Sequence, residues 1–216
     1  MLTRRTFLKT TLGVSTVVAT AGSAGVAALQ STLLDTNSVP VLVFADGGYE
    51  QTLAFSAALS ATLPSTPDVN PITNPAQNKA RQTLSHIDKD VAAQIREVDD
   101  FCGSNPDGAL IGLTRDSDFF ILEHTAAQHG FKLHYKGVHD FRGELMRHQV
   151  SAPGALAPAL ADTLSKAQHS WPQQLAGIAP SIVQAQGELL EAEAQATLNY
   201  QNDEPGYLVS WLLKTV

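Results

Sequence analysis

The fold is decided by the stretch Val39-Pro40-Val41-Leu42-Val43-Phe44-Ala45-Asp46-Gly47-Gly48. Its first seven residues form a short apolar run rich in β-branched side chains, which is typical of a strand covered on both faces of a sheet. Asp46-Gly47-Gly48 ends the run, and a helical pattern follows over about residues 49–61. A buried strand followed directly by a helix indicates the crossover connection of a parallel sheet.

A second unit of the same kind follows further along the chain. Residues 109–114 form another short apolar run, and Arg115-Asp116-Ser117-Asp118 can cap a helix over 117–129 with negative charge at its positive end. Apolar and polar side chains then alternate over residues 131–136. This period of two predicts a strand with one wet face, near an edge of the sheet, with His134 exposed.

Two longer regions read as helical. Asn74-Pro75 resembles a helix start, and apolar residues recur every three or four positions up to Cys102, which predicts a helix over 75–103 with Cys102 buried near its end. From 143 to 200 the pattern is again helical, with starts near Leu156, at Trp171 and near 181. The last apolar run, 207–213, favours a strand.

These elements predict an α/β fold in a single domain over residues 39–216. We expect a small, mainly parallel sheet of three to four strands that is covered by helices, with a helix-rich C-terminal half. Trp171 and Trp211 are expected in the core or an interface.

The first 28 residues have the organisation of a secretory signal. A positive head precedes an apolar, small-residue stretch that is too short and polar for a membrane span. Within the head, Thr3-Arg4-Arg5-Thr6-Phe7-Leu8-Lys9 resembles the S/T-R-R-x-F-L-K signature of twin-arginine (Tat) signal peptides. The resemblance implies that the Tat translocon reads Arg4 and Arg5 and exports the folded chain to the periplasm. Residues 29–38 read as a tether.

Composition excludes several classes of function. Without the three basic residues of the signal, eleven basic residues face 21 acidic ones, a formal charge of −10. This excess of acid opposes binding to nucleic acid or to an anionic membrane, and nothing after the signal predicts a stable membrane anchor. The single cysteine, Cys102, forms no internal disulfide and no paired-cysteine metal or haem motif.

Chemistry is expected where the predicted strands end. Ligands of open α/β sheets bind beyond the carboxyl ends of the strands, and this rule selects residues 46–50, 115–118 and 139–142. One hypothesis is an acid–base or divalent-metal site, because carboxylate oxygens suit hard cations and a bound metal activates water. Its catalytic candidates are Asp46, Asp116, His139 and Asp140, and its metal-ligand candidates are Asp46, Asp116 and Asp140.

The same segments also permit a binding pocket without catalysis. A glycine pair lets a ligand approach the backbone closely, and the candidate ligand-binding residues are Gly47, Gly48, Tyr49, Arg115, Asp118 and Arg142. The segments lack the phosphate-binding glycine motifs. Aspartate, glycine and serine are also the ordinary residues of turns and helix caps, which is the structural explanation of the same pattern.

The sequence therefore favours an exported periplasmic accessory or ligand-binding protein, whose partner is another periplasmic protein or a small ligand. It shows no nucleophile elbow, zinc, haem or nucleotide motif, so no cofactor is predicted apart from the divalent metal of the alternative hypothesis. That alternative is a periplasmic hydrolase that uses the carboxylates at the strand ends.

Overall fold

The computed structural model describes residues 39–62, 82–87, 90–198 and 206–215, with 82–87 described as backbone only. The signal at 1–28, the tether at 29–38 and the helix start at Asn74-Pro75 lie outside the described residues. The described residues form an α/β fold, as predicted, with seven strands in one mixed sheet and five α-helices.

The elements alternate between strands and helices along most of the chain. The strands are β1 (Val41–Asp46), β2 (Gln82–Ile87), β3 (Ala109–Thr114), β4 (Lys132–Arg142), β5 (Leu145–Pro153), β6 (Leu189–Thr197) and β7 (Tyr207–Lys214). The helices are α1 (Glu50–Thr62), α2 (Val91–Ser104), α3 (Asp116–Ala127), α4 (Leu156–Lys166) and α5 (Trp171–Gln184), with a 3₁₀ turn at Gln168–Ser170.

The sheet has the order β2-β1-β3-β7-β4-β5-β6. β1 lies between β2 and β3 and is parallel to both. β7 is antiparallel to both β3 and β4, so β4 runs in the same direction as β3. β5 and β6 continue as antiparallel neighbours. The prediction of a small, mainly parallel sheet is therefore wrong: the sheet is larger and mixed, because antiparallel pairing adds β7, β4, β5 and β6 to the parallel half.

Each face of the sheet has its own apolar core. Alternate residues of β1 point to opposite faces, so Val41 and Val43 pack under α1, α4 and α5, whereas Leu42 and Phe44 pack under α2 and α3. Trp211 fills the second core, 5.9 Å from the ring centroid of Phe44. Trp171 fills the first core, and both tryptophans are buried as predicted. Cys102 is buried in α2, also as predicted, and burial raises the pKa of its thiol to about 12.

Three segments predicted as helix are strands instead. Residues 82–87 form β2, and α2 begins only after Asp90, whose carboxylate accepts a hydrogen bond from the Ala93 amide. In β5 every second residue points inward, beginning with Met146 and His148. β6 pairs with β5 along its whole length. The C-terminal half is therefore a mixture of strands and helices.

The prediction of an edge strand with an exposed His134 is also wrong. β4 lies inside the sheet between β7 and β5, and its register shifts between Leu133 and Tyr135. This irregularity interrupts the alternation of side chains. His134 turns inward, where its Nε2 lies 3.0 Å from the carbonyl oxygen of Ile182. Burial, and then the nearby charge of Lys214, lowers the pKa of His134.

Candidate functional site

The chain reverses its direction of travel across the sheet beside β1. It passes from β1 through α1 to β2 on one side, and then through α2 to β3 on the other side. α1 and α2 consequently pack on opposite faces. Such a reversal is a topological switch point, and it leaves a crevice beyond the carboxyl ends of the two strands that flank it. Asp46 is the last residue of β1, and Arg115 directly follows β3.

An ion-paired group occupies this switch point. Arg115 Nε lies 3.0 Å from Asp46 Oδ2 and 3.0 Å from Asp118 Oδ2. The two carboxylate side chains are only 9% and 10% exposed, whereas the arginine side chain is 50% exposed. The charge of Asp118, and then that of Asp46, raises the pKa of Arg115. We call these three residues the rim cluster.

The backbone around Asp46 is fixed by hydrogen bonds to the start of α1. The Gly48 amide donates to Asp46 Oδ1 at 2.9 Å. The Thr52 hydroxyl bonds to the Asp46 carbonyl and to the Tyr49 carbonyl. Asp46 Oδ2 is buried and has no hydrogen-bond donor among the described residues, although the Arg115 charge is close to it. Gly47 has open space where a side chain would lie, so the loop leaves room beside its backbone.

The other predicted acids stand in separate ion pairs. Asp116 Oδ1 lies 3.8 Å from Lys136 Nζ, and the carboxylate also contacts the Tyr207 hydroxyl. Asp140 Oδ2 lies 2.6 Å from Arg142 Nε and 3.4 Å from Arg147 Nη2.

The three predicted segments do lie at the same end of the sheet, because β1, β3 and β4 run in the same direction. However, β7 separates β3 from β4, so Asp140 on β4 stands two strand spacings, roughly 10 Å, from the end of β3 and three spacings from Asp46 on β1. Across the part of the chain that the structure describes, no three His, Cys, Asp or Glu side chains lie close enough together to hold a metal ion.

His139 does not face this edge; it belongs to a polar network in the core. Its Nε2 lies 2.7 Å from Ser210 Oγ, and its Nδ1 lies 2.8 Å from His148 Nδ1. The Tyr135 hydroxyl lies 2.8 Å from the same serine oxygen. Trp171 stacks on His139 with ring centroids 4.1 Å apart. We call Tyr135, His139, His148 and Ser210 the buried network.

A glycine makes this packing feasible. A side chain at Gly137 would overlap Ser210 Oγ and the Tyr135 hydroxyl, so only glycine fits beneath the network. Beside Tyr135 and Ser210 lies a cavity of about 10 Å³, which is the size of roughly one water molecule.

The buried imidazoles are held in their neutral form. Burial, and then the neighbouring His148, lowers the pKa of His139 well below its usual range. Burial lowers the pKa of His148 to about 4 and raises that of Tyr135. Two polar atoms, His148 Nε2 and Trp171 Nε1, are buried without a hydrogen-bond partner in the described structure. The network therefore carries a cost that the surrounding packing must offset.

The connectivity of the buried network matches that of an activated nucleophile, since a serine hydroxyl contacts an imidazole that a second group orients. Its burial rules out direct use, because all four side chains are at most 2% exposed and no substrate reaches the serine in this conformation. His148, Ser210 and Tyr135 were not among the site residues predicted from the sequence. The alternation of apolar residues around His148 in β5 was the signal that would have placed it on an inner face.

No described helix is both long enough and apolar enough to cross a membrane. Comparisons of the chain with protein-family models, with curated proteins and with solved structures found no match.

Proposed function

We propose that this chain is an exported periplasmic protein that binds a small polar ligand at the switch point between β1 and β3, without catalysing a reaction. Export is supported by the resemblance of residues 3–9 to Tat signals. Binding is supported by one observation above all: a half-exposed arginine is fixed at the switch point by two buried carboxylates.

The rim cluster is suited to recognition because its arginine is already ordered. A free arginine side chain loses rotamer entropy when a ligand fixes it. An arginine already fixed by an ion pair loses less entropy on binding. Asp46 and Asp118 outnumber the single positive charge of Arg115, and Glu50 follows at the start of α1. The complementary ligand therefore combines hydrogen-bond donors or a positive group with an acceptor for the guanidinium.

The alternative is a hydrolase that holds a divalent metal between Asp46, Asp116 and Asp140. The geometry favours it less, because each of these carboxylates has its own basic partner and β7 stands between the second and the third. A metal would have to draw them together against four ion pairs.

Replacement of Arg115 tests the binding proposal. A panel of amino acids, sugars, carboxylates and polyamines is added to the purified chain, and the melting temperature is recorded. A compound that binds only the folded state raises it. We expect at least one compound to do so with the natural chain and none with Arg115→Gln.

The matched control is Arg96→Gln, which removes another exposed arginine whose ion pair, with Asp90 at 3.9 Å, belongs to the start of α2 and includes no residue of the rim cluster. It should keep the full response. An equal response of Arg115→Gln would place the site elsewhere. If no compound stabilises the natural chain, and native mass spectrometry finds no bound compound, the proposal is wrong.

A further inference from the structure

β6 forms one end of the sheet and pairs on one side only. Its partner β5 covers it without interruption, from Leu145 opposite Thr197 to Pro153 opposite Leu189. No described residue pairs with its outer edge, because β6 is the last strand in the sheet order. Every second residue of this nine-residue strand thus turns its N–H and C=O groups outward, where they have no strand partner among the described residues.

This edge lacks most of the usual protection against pairing. Edge strands of natural proteins are commonly short, or they carry charged side chains (above all lysine), proline or a bulge. β6 reads Leu189-Leu190-Glu191-Ala192-Glu193-Ala194-Gln195-Ala196-Thr197, which contains no lysine or proline, and its register has no shift. Leu189 and Leu190 are 38% and 49% exposed at its start. Such a strand is a template for another strand.

We propose that a second copy of this chain pairs with β6, antiparallel, so that the two sheets become one. A two-fold axis perpendicular to the sheet relates the copies, because this operation reverses the strand while keeping each face on its own side. Opposed residues of the two strands must lie on the same face, so their positions differ by an even number. The axis therefore passes between one residue and the same residue of the second copy.

The two glutamates of β6 determine which residue lies on the two-fold axis. Glu191 and Glu193 lie on the same face, and an axis at Glu191, Ala192 or Glu193 places glutamate opposite glutamate, which is destabilising. An axis at Ala194 instead places Glu193 opposite Gln195 and Glu191 opposite Thr197 of the second copy. The amide and the hydroxyl both donate hydrogen bonds to a carboxylate.

The axis at Ala194 is also the longest register that avoids this repulsion, since it pairs residues 191–197 of each strand. An axis at Gln195 pairs only residues 193–197. On the opposite face, Ala192, Ala194 and Ala196 are small and half buried against the core beneath α4, so side chains there do not obstruct the approach of a second strand.

The test measures molar mass by light scattering during size-exclusion chromatography of the purified chain, at loading concentrations from about 1 µM to about 1 mM, a range that spans weak to moderate affinities. We expect the mass of two chains for the natural protein. Gln195→Glu places two carboxylates opposite one another on each side of the axis and should yield single chains. Gln173→Glu is the matched control: it makes the same change at an exposed position of α5 and should remain paired.

A charge swap tests the register itself. The double variant Glu193→Lys with Gln195→Glu restores opposite charges across an axis at Ala194, but it places lysine opposite lysine across an axis at residue 193. Recovery of the two-chain mass therefore supports the register, and failure to recover overturns it. Single chains throughout the concentration range for the natural protein, or an intact pair for Gln195→Glu, would overturn the proposal.

Discussion

The rim cluster and the buried network are both polar groups of the same sheet, yet they obey opposite rules. The rim cluster consists of charged side chains, and its arginine stays half exposed to water. The buried network lies in the core and remains neutral, because burial lowers the pKa of its histidines. Charged groups are stable where water solvates them, whereas groups buried away from water stay neutral and form hydrogen bonds with one another.

This difference assigns them different roles. The rim cluster is available to a ligand through its half-exposed arginine, although loss of that arginine would leave two buried carboxylates without their counter-charge. A neutral network in the core contributes specificity of packing, and its loss is felt throughout the domain. The comparison predicts that changes at the network alter stability, whereas changes at the rim cluster alter ligand binding as well.

The largest effect is expected at Trp171, which covers the buried network. Trp171→Ala should lower the free energy of unfolding by about 3–5 kcal/mol, since it leaves a large cavity above His139. Trp171→Phe should cost less than half of that, because Trp171 Nε1 has no hydrogen-bond partner to lose. Urea denaturation measures both values. Equal losses for the two variants would mean that the indole nitrogen is bonded after all.

The next largest effect is expected when the pH is lowered. The pKa of His148 is about 4 in the folded chain and about 6.5 when unfolded, so the unfolded chain binds more protons below pH 6.5. Stability is therefore fully present above about pH 6.5 and is lost as the pH falls towards 4. His148 alone contributes about 3 kcal/mol to this loss. His139 and His134 act in the same direction.

Urea titrations at several pH values between 7 and 4 measure this slope. His148→Gln should flatten it, whatever the variant does to stability at neutral pH. His124→Gln, which removes an exposed histidine of α3, should leave the slope unchanged. If the natural chain is equally stable at pH 7 and pH 4, the histidines of the network are not held neutral.

The smallest effect is expected from divalent metals at the three carboxylates that the sequence predicted as metal ligands. Because Asp46, Asp116 and Asp140 stand in separate ion pairs, about 1 mM Mg²⁺, Ca²⁺, Mn²⁺ or Zn²⁺ should not change the melting temperature measurably. A ligand at a hundred times its Kd would stabilise the folded state by about 2.7 kcal/mol. A rise in melting temperature that disappears in the variant Asp46→Asn with Asp116→Asn would favour the hydrolase alternative.

The sequence predicted the elements whose patterns are local. The runs at 39–45 and 109–114 are buried strands, and the helices that begin near Glu50 and Asp116 follow them. Short apolar runs and a helix that follows at once need no distant partner to be recognised.

The elements that were predicted wrongly from the sequence are those that depend on distant partners. Ala192, Ala194 and Ala196 are strong helix formers, yet β6 is a strand because its backbone pairs with β5. Residues 82–87 likewise pair with β1, although Leu84 and Ile87 match a helical spacing.

Of the candidate site, the sequence determined the residue types and their positions at strand ends, because turns and helix starts require aspartate and glycine there. Only the tertiary structure decided which of them meet. The insertion of β7 between β3 and β4 keeps Asp140 apart from Asp46, and it brings Ser210 to His139 across 71 positions of the chain. Strand order is set by packing energy summed over the whole sheet, and no local stretch of sequence carries that sum.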